Sequence, residues 1–259
     1  MNCFLTSINY CPVKSLSFQN INSTVIKKNL GILNDRIFAF SRGMSHEDAK
    51  KIQDNPEIRK LNNFLTLKNS PVLNKYNFEY TDNKLTLYSS KGELITIDID
   101  DSSQRNIISN KLIELEETLI QPISLLKNTS FPFFDTSHSK KIFNSLSLIN
   151  LNSIKEFENK INKKIEFERF RANFYVDGIE SWQERKWVGK VIKINNVSFK
   201  VEKNIPRCVA INLKPKTDDN SLNLLKSLKD NFDHFDMGVY LMALNDGEVK
   251  IGNKIEFIQ

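Results

Sequence analysis

Residues 191–201 read Val-Ile-Lys-Ile-Asn-Asn-Val-Ser-Phe-Lys-Val, and this stretch decides the predicted fold. After the two asparagines, apolar and polar side chains alternate, as in a β-strand with one buried face. An apolar run precedes them, and a two-residue Asn connection between strand-like runs is typical of a β-hairpin. The sequence therefore predicts an antiparallel strand pair, with Val197, Phe199 and Val201 on the buried face.

Strand patterns recur on both sides of this hairpin. Ile95, Ile97 and Ile99 lie on one face of an alternating segment that begins at Glu93. Near the C-terminus, residues 249–257 read as another pair of short strands around a Gly-Asn turn. Strands this short do not suit a doubly wound parallel sheet.

Three helices are predicted between the strands. One begins with Ser153-Ile154-Lys155-Glu156, which has the spacing of a capping box. The other two follow from apolar spacings of three and four, at Ile108, Leu112, Leu115 and Leu119 and at Leu222, Leu225 and Leu228. Together these elements predict an α+β fold that is predominantly β. The polar segment 128–139 predicts a junction between an N-terminal unit, residues 1–127, and a C-terminal unit, residues 128–259.

Composition limits the function classes. The chain has 259 residues, a net charge of +6 and 40% hydrophobic residues. Its lysines are spread out rather than interleaved with aromatic residues, which argues against nucleic-acid binding. No apolar run approaches the roughly 20 residues that span a bilayer, and the first residues lack a secretion-signal pattern. We expect a cytoplasmic protein that binds neither nucleic acid nor membrane.

Arginine is scarce beside lysine, with eight of the 37 basic residues. An arginine therefore indicates a position that uses a planar fork for phosphate or carboxylate. In Asp35-Arg36, the carboxylate would orient a guanidinium while Arg36 faces an anion; a surface ion pair is the alternative. Lys14-Ser15 offers a charge and a hydroxyl to an anionic oxygen, and an exposed turn is the alternative.

Residues 169–174, Arg-Phe-Arg-Ala-Asn-Phe, alternate polar and apolar side chains. If they form a strand, Arg169, Arg171 and Asn173 share one face and could bind an anion. A solvated strand face is the alternative.

Cys208 follows Pro206-Arg207 at the start of an apolar run. A neighbouring cation favours the thiolate, which is both a nucleophile and a ligand for soft metals. The alternative is an inert, buried cysteine that opens a core strand. Cys3 and Cys11 complete an odd set without a CxxC pair, which argues against a disulfide framework or a cysteine zinc site.

These motifs, taken in order, resemble the MOSC family, named after the C-terminal domain of molybdenum cofactor sulfurases. The resemblance covers most of the chain and includes the usual N-terminal β-rich companion domain. It rests on Pro12-Val13-Lys14-Ser15-Leu16, Gly31 with Asp35-Arg36, residues 147–153, Arg169-Phe170-Arg171-Ala172-Asn173, Trp187-Val188-Gly189, Pro206-Arg207-Cys208 and residues 234–240.

The resemblance implies a β-barrel-type MOSC domain with a smaller N-terminal β-rich domain. It implies a molybdenum cofactor, Mo-molybdopterin, with Cys208 as the catalytic thiolate on the metal. By the same resemblance the cofactor-binding residues are Lys14, Ser15, Arg36, Arg171, Asn173 and Arg207. The cofactor should then lie between the two units.

Within the MOSC family, the chain resembles the amidoxime-reducing molybdenum N-reductases and their bacterial counterparts. The resemblance implies an oxidoreductase that reduces a small N-hydroxylated or N-oxide-type substrate. Since no cysteines remain to hold an iron–sulfur cluster, electrons would come from a separate flavin, iron–sulfur or haem protein. Asp135 and His138 are candidates for the cavity entrance. The alternatives are a cofactor carrier, a module that transfers sulfur as a persulfide on Cys208, and a β-rich binding module.

Overall fold

The computed structural model describes residues 2–135 and 144–258, and every statement of structure below refers to them. The β-strands are β1 Phe4–Tyr10, β2 Gln19–Ile21, β3 Ser23–Lys27, β4 Gly31–Ile32, β5 Phe38–Phe40, β6 Asn77–Thr81, β7 Lys84–Ser89, β8 Gly92–Asp98, β9 Leu125–Lys127, β10 Leu146–Asn150, β11 Phe174–Asp177, β12 Val191–Ile194, β13 Val197–Pro206, β14 Asp236–Ala243, β15 Gly247–Lys250 and β16 Ile255–Phe257. The α-helices are α1 His46–Asp54, α2 Ser102–Leu115, α3 Leu151–Lys160 and α4 Leu224–Phe232. Within the described ranges, no helix has the length and apolar character needed to cross a membrane.

One large sheet dominates the molecule, with the strand order β16-β12-β13-β14-β10-β11-β1-β2. Its ends approach each other, because Gly252 and Ile255 donate backbone hydrogen bonds to the carbonyl oxygens of Leu5 and Cys3 at 2.7 and 2.8 Å. β1 thus returns to the start of β16, and the curved sheet encloses an apolar core that includes Trp187, Phe174 and Phe199. The predicted strand-rich fold with a barrel-type sheet is confirmed.

The first residues of the chain lie in this large sheet. β1 pairs antiparallel with β11, and β3 pairs with β15 near the C-terminus. Residues 38–127 build a second core, in which the sheet β6-β7-β8, the pair β5–β9 and α2 surround Phe38, Phe78 and Leu112. The boundary between residues 127 and 128 stays a prediction.

The hairpin at residues 191–201 forms as predicted. Ile194 pairs with Val197 where β12 turns into β13, and Val197, Phe199 and Val201 are fully buried. The prediction for residues 249–257 is wrong in its pairing. Both short strands exist, but β15 pairs with β3 and β16 pairs with β12, so long-range partners replace the local hairpin.

The capping box at Ser153 is also wrong. Helix α3 begins earlier, and the Asn150 side chain caps it by accepting from the backbone N–H of Asn152 at 3.1 Å. The Ser153 hydroxyl donates instead to the Glu184 carboxyl group at 2.8 Å. The other two helices form close to their predicted positions, although Leu119 lies beyond the end of α2.

Glu184 supplies a test of the barrel core. Its side chain is fully buried and accepts hydrogen bonds from neutral groups, the Ser153 hydroxyl and the Asn150 amide. Burial raises the pKa of Glu184, with these hydrogen bonds acting the other way. A raised carboxyl pKa favours the fold below the unfolded pKa of about 4.3, and this contribution is lost as the pH rises towards the folded pKa.

We expect Glu184→Gln to flatten the dependence of stability on pH. In the parent protein, the contribution of Glu184 to the free energy of unfolding should fall as the pH rises above about 4.3, because the buried group must ionise. The glutamine cannot ionise, so the variant should lose part of this slope. Urea unfolding at several pH values measures it, with the exposed Glu117→Gln as control. An unchanged slope would show that Glu184 does not titrate upon unfolding.

Candidate functional site

A cavity of about 450 Å³ is lined by residues from both sides of the predicted boundary between residues 127 and 128. The loop after β1, the segment before β5 and residues 61–69 form one side of it, while the end of β13 and the segment before β11 form the other. The predicted site residues that line it are Lys14, Ser15, Arg36, Arg171, Arg207 and Cys208. Residues almost 200 positions apart in the chain therefore meet in one volume.

The loop after β1 holds Lys14 in a fixed place. The backbone N–H of Lys14 donates to the carbonyl of Phe38 at 2.7 Å, and the Cys11 thiol donates to the carbonyl of Val13 at 2.8 Å. The Lys14 side chain is only 2% exposed; its Nζ donates to the Phe133 carbonyl at 2.9 Å and pairs with Asp135. A buried ammonium group stays charged only with such partners. His138, the other entrance candidate, lies outside the described residues.

Asp35 connects three separate segments. Its buried carboxylate accepts from the backbone N–H of Cys11 at 2.7 Å and from Nδ2 of Asn173 at 3.0 Å, and it pairs with Arg36. Burial raises the pKa of Asp35, while Arg36 and these donors act to lower it. For Arg36, burial acts to lower the pKa, but the Asp35 charge outweighs it and the pKa is raised. Asp35 thus fixes a charged guanidinium at the cavity wall.

Two guanidinium groups contact the same aromatic ring. The Cζ atoms of Arg36 and Arg171 lie 5.3 and 5.0 Å from the centroid of Phe18, and Arg36 also lies 5.1 Å from Phe134. Such cation–π contacts position the guanidinium groups without neutralising their positive charge. Burial lowers the pKa of Arg171, and the nearby Arg36 lowers it further. An anion in this cavity would relieve that repulsion.

The predicted polar face of residues 169–173 is wrong. Residues 167–170 form a 3₁₀ turn, and Arg171 has a left-handed backbone with φ of 53°, so strand alternation starts only at Phe174. Arg169 therefore faces away from this cavity, is buried, and donates to Glu166 and to the Asn212 carbonyl. It lines a neighbouring cleft of about 750 Å³ that shares Phe18, Arg171 and Ala210 with the cavity.

Asn173 lies behind the cavity wall rather than in it. Its side chain is fully buried, its Oδ1 accepts from the backbone N–H and hydroxyl of Ser147, and its Nδ2 donates to Asp35 and to the Asn9 carbonyl. Asn173 thus connects Asp35 to Ser147, which does line the cavity.

The guanidinium group of Arg207 donates hydrogen bonds to backbone carbonyl oxygens. Its Nε donates to the carbonyl of Met237 at 2.9 Å and its Nη1 to the carbonyl of Phe170 at 2.8 Å, while Nη2 also donates to Met237. Burial lowers the pKa of Arg207. The residue therefore joins β14 to the segment before β11 and keeps the cavity walls together.

We expect Arg207→Lys to destabilise the protein by about 1–3 kcal/mol, because a single ammonium cannot replace donors to two carbonyls. The midpoint of chemical denaturation measures this. Arg105→Lys is the matched control, since the Arg105 Nε has no hydrogen-bond partner in the described structure. Equal midpoints for the two variants would contradict this role of Arg207.

Cys208 lies at the end of β13, where the strand stops at Pro206 and a short 3₁₀ turn begins. Its side chain is exposed, whereas Cys3 and Cys11 are buried. Burial raises the pKa of Cys3 to about 12, so that thiol is inert. Cys208 lies near enough to Arg171 and Arg207 to interact electrostatically with both guanidinium groups. The buried-strand alternative is therefore wrong, and the thiol opens into the cavity.

Some lining residues were not foreseen. Phe18 and Tyr240 have no local pattern that separates them from other aromatic residues, and only the fold brings them to the cavity. The segment 61–69 is similar in this respect, although its clustered polar residues resemble a loop signal.

Residues 135–256 match the family model of the MOSC domain. The predicted resemblance to the MOSC family is therefore confirmed over this segment. The matched segment supplies Arg171, Arg207 and Cys208 to the cavity, while Lys14, Ser15 and Arg36 come from the residues that precede it.

Some solved structures match this chain at low sequence identity. The YUAD protein from Bacillus subtilis is 11% identical over 98% of this chain and 94% of its own, with a TM-score of 0.47. YiiM from Geobacillus stearothermophilus is 14% identical over 44% of this chain and 54% of its own, with a TM-score of 0.35. No curated protein matches the sequence.

Proposed function

We propose that the protein binds a molybdenum cofactor in the cavity, with the thiolate of Cys208 as the protein ligand of the metal. The MOSC domain is associated with molybdenum cofactor binding in general. The observation that carries the proposal is an exposed thiol in one cavity with Lys14, Arg36, Arg171 and Arg207.

The donor set fits this group. A thiolate is a soft ligand suited to a thiophilic metal. The phosphate of the pterin needs cations and hydroxyl donors, which Lys14, Arg36, Arg171 and Ser15 offer. The cavity volume of about 450 Å³ lies in the range typical of cofactor sites.

Each residue has a definite task in this proposal. Lys14, Ser15, Arg36 and Arg171 would bind the phosphate, with Arg36 oriented by Asp35. Asn173 would act through Asp35 rather than on the cofactor. Arg207 would hold the walls and add positive charge near Cys208. When bound, the cofactor supplies two-electron oxygen-atom transfer, which no side chain of the protein provides.

The chemistry we propose is reduction of a small N-hydroxylated or N-oxide-type compound, as in the amidoxime-reducing enzymes that the sequence resembles. The N–O bond breaks, two electrons and two protons enter, and water leaves with the reduced nitrogen compound. We propose that the electrons come from a separate redox protein carrying flavin, haem or an iron–sulfur cluster.

The test uses protein produced in a host that makes the cofactor. Purified chain is supplied with reduced methyl viologen and benzohydroxamic acid, and benzamide formation is followed by chromatography. Stoichiometric molybdenum with benzamide formation supports the proposal. Metal-free protein without benzamide formation would refute it.

The exposure of Cys208 also suits a second function, transfer of sulfur as a persulfide. Intact-protein mass spectrometry separates the two. A sulfur added to Cys208 in metal-free protein favours transfer, and an unmodified thiol that resists alkylation only when molybdenum is present favours ligation.

A further inference from the structure

We propose that the wall formed by residues 61–69 selects substrates, and that Lys68 makes the cavity prefer N-oxygenated compounds that carry a carboxylate. This inference rests on the proposed function and names the class of substrate that the site would accept. Residues of this wall line the cavity, and none of them is among the residues assigned to the phosphate.

The backbone of the wall is held firmly. The backbone N–H of Leu65 donates to the carbonyl of Phe40 at 2.9 Å. The side chains of Leu65 and Leu67 are buried in the second core, with Phe38 and Phe78. Asn69 closes the turn by accepting from the backbone N–H of Thr66 and donating to the carbonyl of Phe64. Thr66 and Lys68 both line the cavity, together with Leu67 and Asn69 of the same turn.

The polar ends on this wall are available to a ligand. Within residues 2–135 and 144–258, the side chains of Asn62, Thr66 and Lys68 make no hydrogen bond or ion pair, although all three line the cavity. An amide, a hydroxyl and an ammonium group can together bind a carboxylate.

Charge favours an anionic ligand. Among the described lining residues, the cations are Lys14, Arg36, Lys68, Arg171 and Arg207, and Asp135 is the carboxylate. Asp135 and Asp35 offset the charges of Lys14 and Arg36, and a phosphate of about two negative charges would lie at the residues assigned to it rather than at Lys68. Lys68 is the cation that the cofactor assignment leaves without an anion, so a substrate carboxylate has a partner there.

The opposite wall of the cavity is apolar, so it would contact a compact apolar group that joins the two polar ends of such a substrate. Ile205, Pro206, Ala210 and Ile211 line the cavity beside Cys208. A small aromatic or aliphatic acid with an N-hydroxy group at its other end therefore matches both walls.

The experiment compares two probes that differ in one carboxylate, benzohydroxamic acid and 4-carboxybenzohydroxamic acid. Binding to molybdenum-loaded protein is measured by isothermal titration calorimetry at low and high salt. We expect the carboxylated probe to bind about tenfold more tightly at low salt, equivalent to about 1.4 kcal/mol. The difference should shrink at high salt because the pair is partly solvated.

Variants assign this preference to Lys68. Lys68→Gln should make the two dissociation constants equal, and Lys68→Arg should keep the difference. Lys91→Gln, an exposed lysine in the turn between β7 and β8, is the matched control and should behave as the parent protein.

Three results would overturn the inference: equal affinities in the parent protein, a preference that survives in Lys68→Gln, or no binding of either probe. Turnover separates this inference from the proposed function. Charge-selective binding without formation of the amide would refute the reductase while supporting the role of Lys68. Reduction of both probes with equal affinities would support the reductase and refute the role of Lys68.

Discussion

Replacing Cys208 by serine is expected to lower the rate of N-hydroxy reduction by at least about 100-fold, since loss of a metal ligand costs more than loss of its supporting contacts. A serine hydroxyl is harder than a thiolate and does not ionise near neutral pH, so it cannot replace the sulfur. The fold should not change, because the Cys208 side chain is exposed and caps nothing. Turnover per chain with reduced methyl viologen measures the effect.

The neighbouring exposed residue provides the matched control. Val209 is 46% exposed, so Val209→Ala removes apolar surface at the same place without touching the thiol. The control should keep its rate within a few-fold, and both variants should unfold at the parent midpoint. A Cys208→Ser protein with parental activity would exclude the thiolate as a ligand.

Replacing Asp35 by alanine is expected to destabilise the protein by about 3–5 kcal/mol, the usual cost of removing one partner from a buried ion pair. The side chain is 1% exposed, and its loss leaves the Arg36 guanidinium, the Cys11 N–H and the Asn173 amide without their acceptor. The same change should weaken cofactor retention because Arg36 is no longer oriented. Urea denaturation and molybdenum content measure the two effects.

Asp246 serves as the comparison because it also pairs with a lysine and accepts from a backbone N–H, but is 56% exposed. Asp246→Ala should cost no more than about 1 kcal/mol. If Asp35→Ala were no more destabilising than Asp246→Ala, the idea that Asp35 ties the three segments together would be untenable.

Local patterns predicted local structure well. The alternation at Val197, Phe199 and Val201 leads directly to a strand with one buried face, because a period of two decides which side chains meet the core. The link between Asp35 and Arg36 was also anticipated, since the two residues are adjacent and the fold only has to bury them.

The failures have long-range or conformational causes. Arg169 lies in a 3₁₀ turn and Arg171 adopts a left-handed backbone, and no alternation pattern reveals either feature, so Arg169 lies outside the cavity. At Ser153, the serine hydroxyl donates to buried Glu184, and Asn150 caps the helix instead. The strands at residues 249–257 find distant partners because β3 and β12 present open edges there.

The gathering of the site residues in one cavity was predicted by motif order rather than by any one residue. Each of the pairs Lys14-Ser15, Asp35-Arg36 and Arg207-Cys208 had a plausible structural alternative, and only their convergence in one cavity distinguishes them. Asn173 illustrates the limit, since its side chain acts one layer behind the cavity. The wall at residues 61–69 was missed because exposed polar loops are common and its role depends on what lies opposite.

X-ray absorption at the molybdenum edge tests the central claim most directly, because it counts the sulfur atoms bound to the metal. In the parent protein we expect the two dithiolene sulfurs and one more from Cys208, and in Cys208→Ser that additional sulfur should be missing. Protein that carries no molybdenum, or an identical sulfur count in both proteins, would contradict the account.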